Sequence, residues 1–187
     1  MRVLSHASPV AEAVDATEAP SFEAVYREHV MTVARWVARL GGPLLDAEDV
    51  THDVFLKVQR ELPRFRQDCA LTTWLFALTA NTVRTRRRTE KFRRFFRRSS
   101  DDGLDVADEQ PLAPQVLEQR DAERELYRVL DQLSERDRQV LVLFELEGRS
   151  GREVAELLQV KLDAVWVLRH RARQRFAAAM KEAGHDC

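Results

Sequence analysis

A chain of 187 residues can hold one medium domain or two small ones, each with a modest core. With 44% apolar residues, 33% charged residues and only six Gly and six Pro, it reads as a helix-rich soluble protein rather than a β-sandwich or a disordered chain. The net charge of −1 conceals a segregation: residues 21–98 carry 16 Lys/Arg against 9 Asp/Glu, whereas residues 99–126 carry 2 against 9.

A basic block of that density points to a polyanion partner, although a merely solvated face has the same composition. No apolar run approaches the ~20 residues that cross a bilayer, and the N-terminus shows no secretory or transit pattern. Cys69 and Cys187 are too few for a disulfide framework and lack metal-type spacing. No membrane insertion is expected, and the cytoplasm is the default location.

In chain order, residues 1–20 show no helical period and read as a loose tail. Ser21 is placed to cap a helix whose apolar positions are Phe22, Val25, Tyr26, Val30, Val33, Val37 and Leu40, a stripe at steps of three and four. Gly41-Gly42-Pro43 ends it. Asp46 caps the next helix, with Asp49 adding an anion to its first turn, and Val50, Val54, Phe55, Val58 and Leu62 form its stripe before Pro63. After a polar loop, a third amphipathic segment holds Trp74, Leu75, Leu78 and Val83, then runs into Arg84, Arg86, Arg87, Arg88, Lys91, Arg93 and Arg94. Residues 99–113 are acidic, with Gly103 and Pro111 and little to pack, and read as a flexible linker.

Helical pattern resumes near Pro114 with Val116, Leu126, Val129, Leu130 and Leu133. A scaffold helix is expected over Arg138–Glu147, stopped by Gly148. Ser150 and Glu153 form a capping box for a short helix to Leu158, and a turn at Gln159–Leu162 leads to a last helix from about Asp163 to Met180. No strand-like alternation occurs. On the last helix Val165, Leu168, Ala172 and Phe176 fall inward, while Ala164, Val167, Arg171 and Gln174 fall outward, flanked by Arg169, His170, Arg173 and Arg175. These lengths suit a helix-turn-helix whose last helix enters a major groove. An ordinary three-helix bundle with a charged surface remains open on pattern alone.

Leu133-Ser134-Glu135-Arg136-Asp137-Arg138-Gln139-Val140-Leu141, the run Gly148–Leu158 and Arg171-Ala172-Arg173 resemble region 4 of the extracytoplasmic-function (ECF) sigma factors of RNA polymerase. The first block is similar to region 2 of that family: Phe22–Tyr26 with Arg27-Glu28-His29, Asp46–Val50 with Asp53, Phe55 and Leu56, and Trp74–Leu78 with Asn81 and Arg88. The resemblance implies an all-α chain of two small helical domains. Region 2, a helical bundle, covers 21–98, and region 4, the helix-turn-helix, covers 114–183. They follow a tail at 1–20 and are joined by the acidic linker at 99–113.

It further implies a promoter-reading subunit, not an enzyme, with no cofactor. Its partners would be core RNA polymerase, promoter DNA at the −10 and −35 elements, and an anti-sigma factor. Asp49 and Asp53 would meet the clamp coiled coil of the largest polymerase subunit, with Phe55 anchoring the core. The loop Phe65–Thr72 and Asn81 would hold the unwound −10 strand, where one base leaves the stack. Arg84, Thr85, Arg87 and Arg88 lie beside them, with Arg86, near the melted junction. In region 4, Arg171 would read bases of the −35 element and Lys161, Arg169 and Arg173 would touch phosphate, with Ala164, Val167 and His170 on the same surface.

The chain departs from the family at the start of this helix, which reads Ala164-Val165-Trp166-Val167-Leu168. Gln159 and Lys161 stand for the usual Gly and Ser of the turn, so a cap is lost or moves to Asp163. Trp166 is expected to pack on the scaffold rather than stack on DNA. Two rival readings are a stand-alone helix-turn-helix regulator and a helical metalloenzyme built on Asp49, His52 and Asp53, whose D-x-x-H spacing occurs in bundle metal sites.

Overall fold

The computed structural model describes residues 20–99 and 114–184. The expected tail and acidic linker lie, apart from their boundary residues, outside the described residues. Helices α1 (Phe22–Gly41), α2 (Ala47–Glu61) and α3 (Leu71–Ser99) form the first module; α4 (Pro114–Leu130), α5 (Glu135–Leu141), α6 (Gly151–Leu157) and α7 (Leu162–Glu182) form the second. No strand occurs among the described residues, as expected.

Local chemistry sets the helix starts. Ser21 Oγ accepts from the Ala24 N–H at 3.2 Å, and one Asp46 carboxylate oxygen accepts from the Glu48 and Asp49 N–H groups at 2.9 and 3.1 Å. Each supplies a partner that the first helical turn lacks. The core of the first module then follows from the stripes: Val25, Val33, Trp36, Val37 and Leu40 of α1 meet Val50, Val54, Phe55 and Val58 of α2 and Leu75, Phe76 and Val83 of α3. Trp36 meets Phe76 edge-on at 5.2 Å. The buried Thr79 and Thr82 hydroxyls donate to the carbonyls of Leu75 and Leu78, both at 2.8 Å, so neither leaves an unmet polar group.

In the second module the scaffold helix differs from expectation. Regular helix spans only Glu135–Leu141, and Val142–Leu146 widen into a π-helical turn before Gly148 breaks the chain at φ +64°. Val140 to Phe144 are all buried. Five consecutive inward residues exceed what one face of an α-helix presents, and the wider turn accommodates them. The capping box forms as expected: Ser150 and Glu153 satisfy each other's backbone N–H. On α7, Val165 and Ala172 are buried and Leu168 and Phe176 pack partly against the core.

The turn before α7 carries two local penalties. Gln159 sits at φ +53°, where a side chain is strained, and Lys161 caps α7 with no side-chain hydrogen bond, so the cap is lost rather than moved. Lys161→Ser is expected to stabilise the chain by about 1 kcal/mol through a restored cap. Gln159→Gly should add up to about 1 kcal/mol by relieving the backbone. Urea denaturation measures both, and a lower midpoint for the double variant would contradict both assignments.

The two modules share one buried apolar cluster and are also tied by polar groups across the seam. The Tyr127 phenol donates to the Arg39 carbonyl at 3.1 Å, and its ring covers Gly42 so closely that a Cβ there would overlap it. The Arg138 guanidinium is buried, donates to the Leu40 carbonyl at 2.9 Å and to Asp131 at 2.8 Å, and lies 5.3 Å over the Tyr127 ring. Arg87 of α3 reaches Asp131 and, at 2.9 Å, Glu135; Lys91 adds a 3.1 Å pair to Asp131. Across the same seam Arg35 and Arg39 bind the buried Glu147 carboxylate at 3.0 and 2.6 Å. Burial, then the neighbouring Arg87, pulls the Arg138 pKa down to about 10, while Asp131 and Glu135 hold it up.

Candidate nucleic-acid interface

Helix α3 sorts its polar residues by face. Asn81, Arg84, Thr85 and Arg88 are exposed, while Thr79, Ala80, Thr82, Val83 and Arg87 are buried. At about 100° per residue, Asn81, Thr85 and Arg88 form one outward stripe with Arg84 at its edge. Thr85 Oγ1 donates to the Asn81 backbone carbonyl at 2.9 Å, and the exposed Asn81 side-chain amide can offer a donor and an acceptor outward. No ion pair engages Arg84 or Arg88 among the described residues. Two neighbours are committed elsewhere: Arg86 bonds Asp53 of α2, and Arg87, 3% exposed, points the opposite way into Asp131 and Glu135. Composition groups Arg87 with the DNA-facing arginines; the helix rotation separates it from them. In this arrangement Arg87 reaches no nucleic acid without leaving its partners.

The loop before α3 is anchored rather than loose. Phe65 lies against Trp74 with ring centroids 5.0 Å apart, Gln67 turns the chain at φ +57°, and Arg66 pairs with Asp68 at 3.3 Å. On α2, Phe55 is buried, Asp49 is exposed and Asp53 is turned to Arg86. Of the two expected polymerase-facing acids, Asp49 thus points outward with no ion pair among the described residues, and Asp53 is engaged by Arg86. Among the described residues no group of three His, Cys, Asp or Glu side chains could hold a metal ion, and Asp49, His52 and Asp53 are no exception.

Helix α7 presents the second face. Lys161, Ala164, Val167, His170, Arg171, Arg173 and Gln174 are exposed. Arg169 is held back: its guanidinium bonds Glu145 at 3.1 Å and lies 4.6 Å over the Phe144 ring. Arg175 is tied to the buried Asp137 at 2.7 Å. Trp166 packs on the scaffold as expected, 5.7 Å from Phe144 and over Gly151, where a Cβ would meet the indole at 2.6 Å; half of its surface nevertheless stays exposed.

The capping box places a pH limit on this module. The Ser150 N–H and hydroxyl, with Arg149, hold the Glu153 carboxyl at about 2, below its ordinary 4.5. A depressed folded-state pKa stabilises above the unfolded value and loses that contribution as pH falls toward the folded one. The helical signal is expected to become acid-sensitive between about pH 4.5 and pH 2, and Glu153→Gln should flatten that part of a circular-dichroism titration. An unchanged profile in the variant would refute the assignment.

Sequence reasoning missed the residues that join the modules: Tyr127, Asp131, Arg138 and Glu147. Their partners lie far along the chain, so no local pattern marks them.

Residues 25–93 match the family model for Sigma-70 region 2, and residues 123–176 match that for Sigma-70, region 4. The chain is 32% identical over 165 residues to the ECF RNA polymerase sigma factor SigE of Mycolicibacterium smegmatis, covering 86% of this chain and 62% of that protein. It is 30% identical over 168 residues to the RNA polymerase sigma factor YlaC of Bacillus subtilis, covering 89% and 95%. Among solved structures it is similar to CnrH in complex with the cytosolic domain of CnrY, with a TM-score of 0.57, 23% identity and coverage of 86% and 88%. It is also similar to the sigma factor RpoE in complex with the anti-sigma factor NepR from Bartonella quintana, with a TM-score of 0.51, 19% identity and coverage of 86% and 96%. Both structural likenesses bear on fold alone.

Proposed function

Since the chain belongs to the RNA polymerase sigma factors, in their extracytoplasmic-function class, we propose that it directs core polymerase to promoters by gripping them at two separated places. The observation that carries this reading is the pair of exposed faces, one on each module, in the order region 2 then region 4. The α3 face offers Asn81, Arg84, Thr85 and Arg88 to the opened −10 strand; the α7 face offers Ala164, Val167, His170 and Arg171 to the −35 major groove, with Arg173 flanking it toward phosphate and Lys161 at its entrance. Region 2 spans 21–98 and region 4 spans 114–183. Phosphate contacts supply affinity that falls with salt, and base contacts supply the choice of site.

Core polymerase supplies the nucleotide chemistry, and this chain contributes binding without catalysis. Asp49, exposed on α2, meets the basic clamp coiled coil of the largest subunit, with Asp53 beside it once Arg86 turns to phosphate. An anti-sigma factor is the expected negative partner, and the site of action is the cytoplasm. A stand-alone regulator does not account for a first half that matches region 2.

The closed arrangement adds a condition: Arg87 can join the DNA face only by exchanging Asp131 and Glu135 for phosphate, so promoter binding and module closure compete. Gel filtration with core polymerase, followed by run-off transcription on a promoter library, tests the reading. Co-migration and discrete start sites support it; a chain that neither joins core enzyme nor yields defined transcripts overturns it.

A further inference from the structure

We infer that the end of α3 carries a second, sequence-blind surface for single-stranded DNA, built from Phe92, Phe95 and Phe96 among basic residues. These three rings are 64%, 68% and 54% exposed. Phe92 and Phe96 lie 4.5 Å apart between centroids, and Phe95 meets Phe96 edge-on at 5.9 Å. Residues 90–98 hold five Lys/Arg and a single acid, Glu90. Glu90 holds Arg93 and Arg94 only at 3.9 and 3.6 Å, and both arginines stay more than half exposed. The last buried apolar residue of α3 is Val83, so the rings are not part of the core this helix builds.

Their position on the helix gives the surface a direction. Counting about 100° per residue, Phe92 lies about 20° around the axis from Asn81, and Phe95 and Phe96 fall about 40° and 60° to either side. The rings therefore continue the stripe of Asn81, Thr85 and Arg88, roughly 17–22 Å further along the helix. The region 2 match ends at residue 93, so Phe95 and Phe96 lie beyond what the family model covers.

Exposed rings interleaved with arginine and lysine suit a strand whose bases are free to stack while its phosphates are neutralised, without regard to sequence. A duplex hides its base faces, so the occupant is a single strand. Anionic lipid would also meet a basic, aromatic helix end, but the rings share a face with residues proposed to hold an opened strand, which favours DNA. The source of that strand rests on the promoter-opening reading; the stacking itself does not.

The test uses the full chain, which displays these rings in its closed arrangement, and fluorescence anisotropy with labelled oligothymidylate. Phe95→Ser/Phe96→Ser is expected to weaken binding about 10- to 100-fold while leaving the salt slope unchanged. Arg93→Gln/Arg94→Gln should instead flatten that slope by about 0.7 for each phosphate no longer neutralised. The proposal is overturned if the wild type does not bind oligothymidylate, or if the serine variant binds it equally well. It is also overturned if the serine variant loses only binding to phosphatidylglycerol vesicles. Run-off transcription with core polymerase reports separately on the promoter reading, so either can fail alone.

Discussion

Asp131→Asn is expected to loosen the packing of the two modules on each other without unfolding either. Asp131 is the anion shared by Arg87, Lys91 and Arg138. The two arginine side chains are only 4% and 1% exposed, so water cannot replace what Asp131 provides. Glu135 is the other acid within reach, and it bonds Arg87 alone. An amide keeps the shape but removes the charge, leaving two buried guanidiniums facing each other.

Breaking such a pair costs about 3–5 kcal/mol when fully buried. Asp131 is 30% exposed, so about 2–3 kcal/mol is the fitting magnitude after allowing for solvent screening. Beside it the seam holds apolar contacts of the shared core, the Tyr127 ring over Gly42, the Arg138 bond to Leu40, the Glu147 pairs and a 3.5 Å bond from Thr73 to the Glu156 carbonyl, so the variant is expected to loosen the modules rather than release them fully. Small-angle scattering should show a larger radius of gyration for Asp131→Asn, with helical content retained. Asp121→Asn is the control, because Asp121 and Arg124 are about 70% exposed and their pair contributes little.

Acid should act in the same direction. Although burial works against it, the surrounding cations hold Asp131 below 3.8, so its contribution is present above that value and is lost as pH falls through the lower folded one. Superimposable scattering curves for variant and wild type at low and moderate salt would refute the role given to Asp131.

What the sequence makes legible is local. Ser21, Asp46 and Ser150 all cap helices where their neighbours say they should, since a cap needs only the next three residues. Inward stripes are equally visible, and Val165 and Ala172 are buried as their spacing requires. The π-helical turn at 142–146 is not legible, because it depends on how much core surrounds Val142 to Phe144. Arg87 lies between these cases. A run of arginines reads as one basic patch, yet helix rotation puts Arg87 with Val83 rather than with Arg88, a distinction that periodicity could have drawn. Its acidic partners, 44 and 48 residues away, could not have been found so. The same holds for Arg169 and Arg175, outward by spacing but drawn to Glu145 and Asp137 by the tertiary fold.

That commitment of neighbours makes the second large expectation specific: Arg171→Ala should sharply weaken discrimination at the −35 element while leaving core polymerase binding intact. With Arg169 and Arg175 tied to scaffold carboxylates, Arg171 and Arg173 are the exposed α7 arginines without an ion pair among the described residues. Arg171 stands four residues after Val167 and seven after Ala164, on one face. Small apolar neighbours there allow close approach to base edges and to thymine methyls, and a guanidinium fork can pair two acceptors of one guanine. Arg173 lies about 200° around the helix from Arg171 and flanks the groove instead.

Removing a bidentate pairing with a base costs about 1–3 kcal/mol, roughly 5- to 150-fold in site preference. Arg171→Lys keeps the charge and the salt slope but cannot reproduce the fork, so it should lose selectivity almost as fully as alanine. Arg169→Ala should instead loosen the packing of α7 on Phe144, lowering stability with the preferred sequence unchanged. Run-off transcription across a promoter library distinguishes these outcomes, and an unaltered −35 preference in Arg171→Ala would remove Arg171 from the reading face.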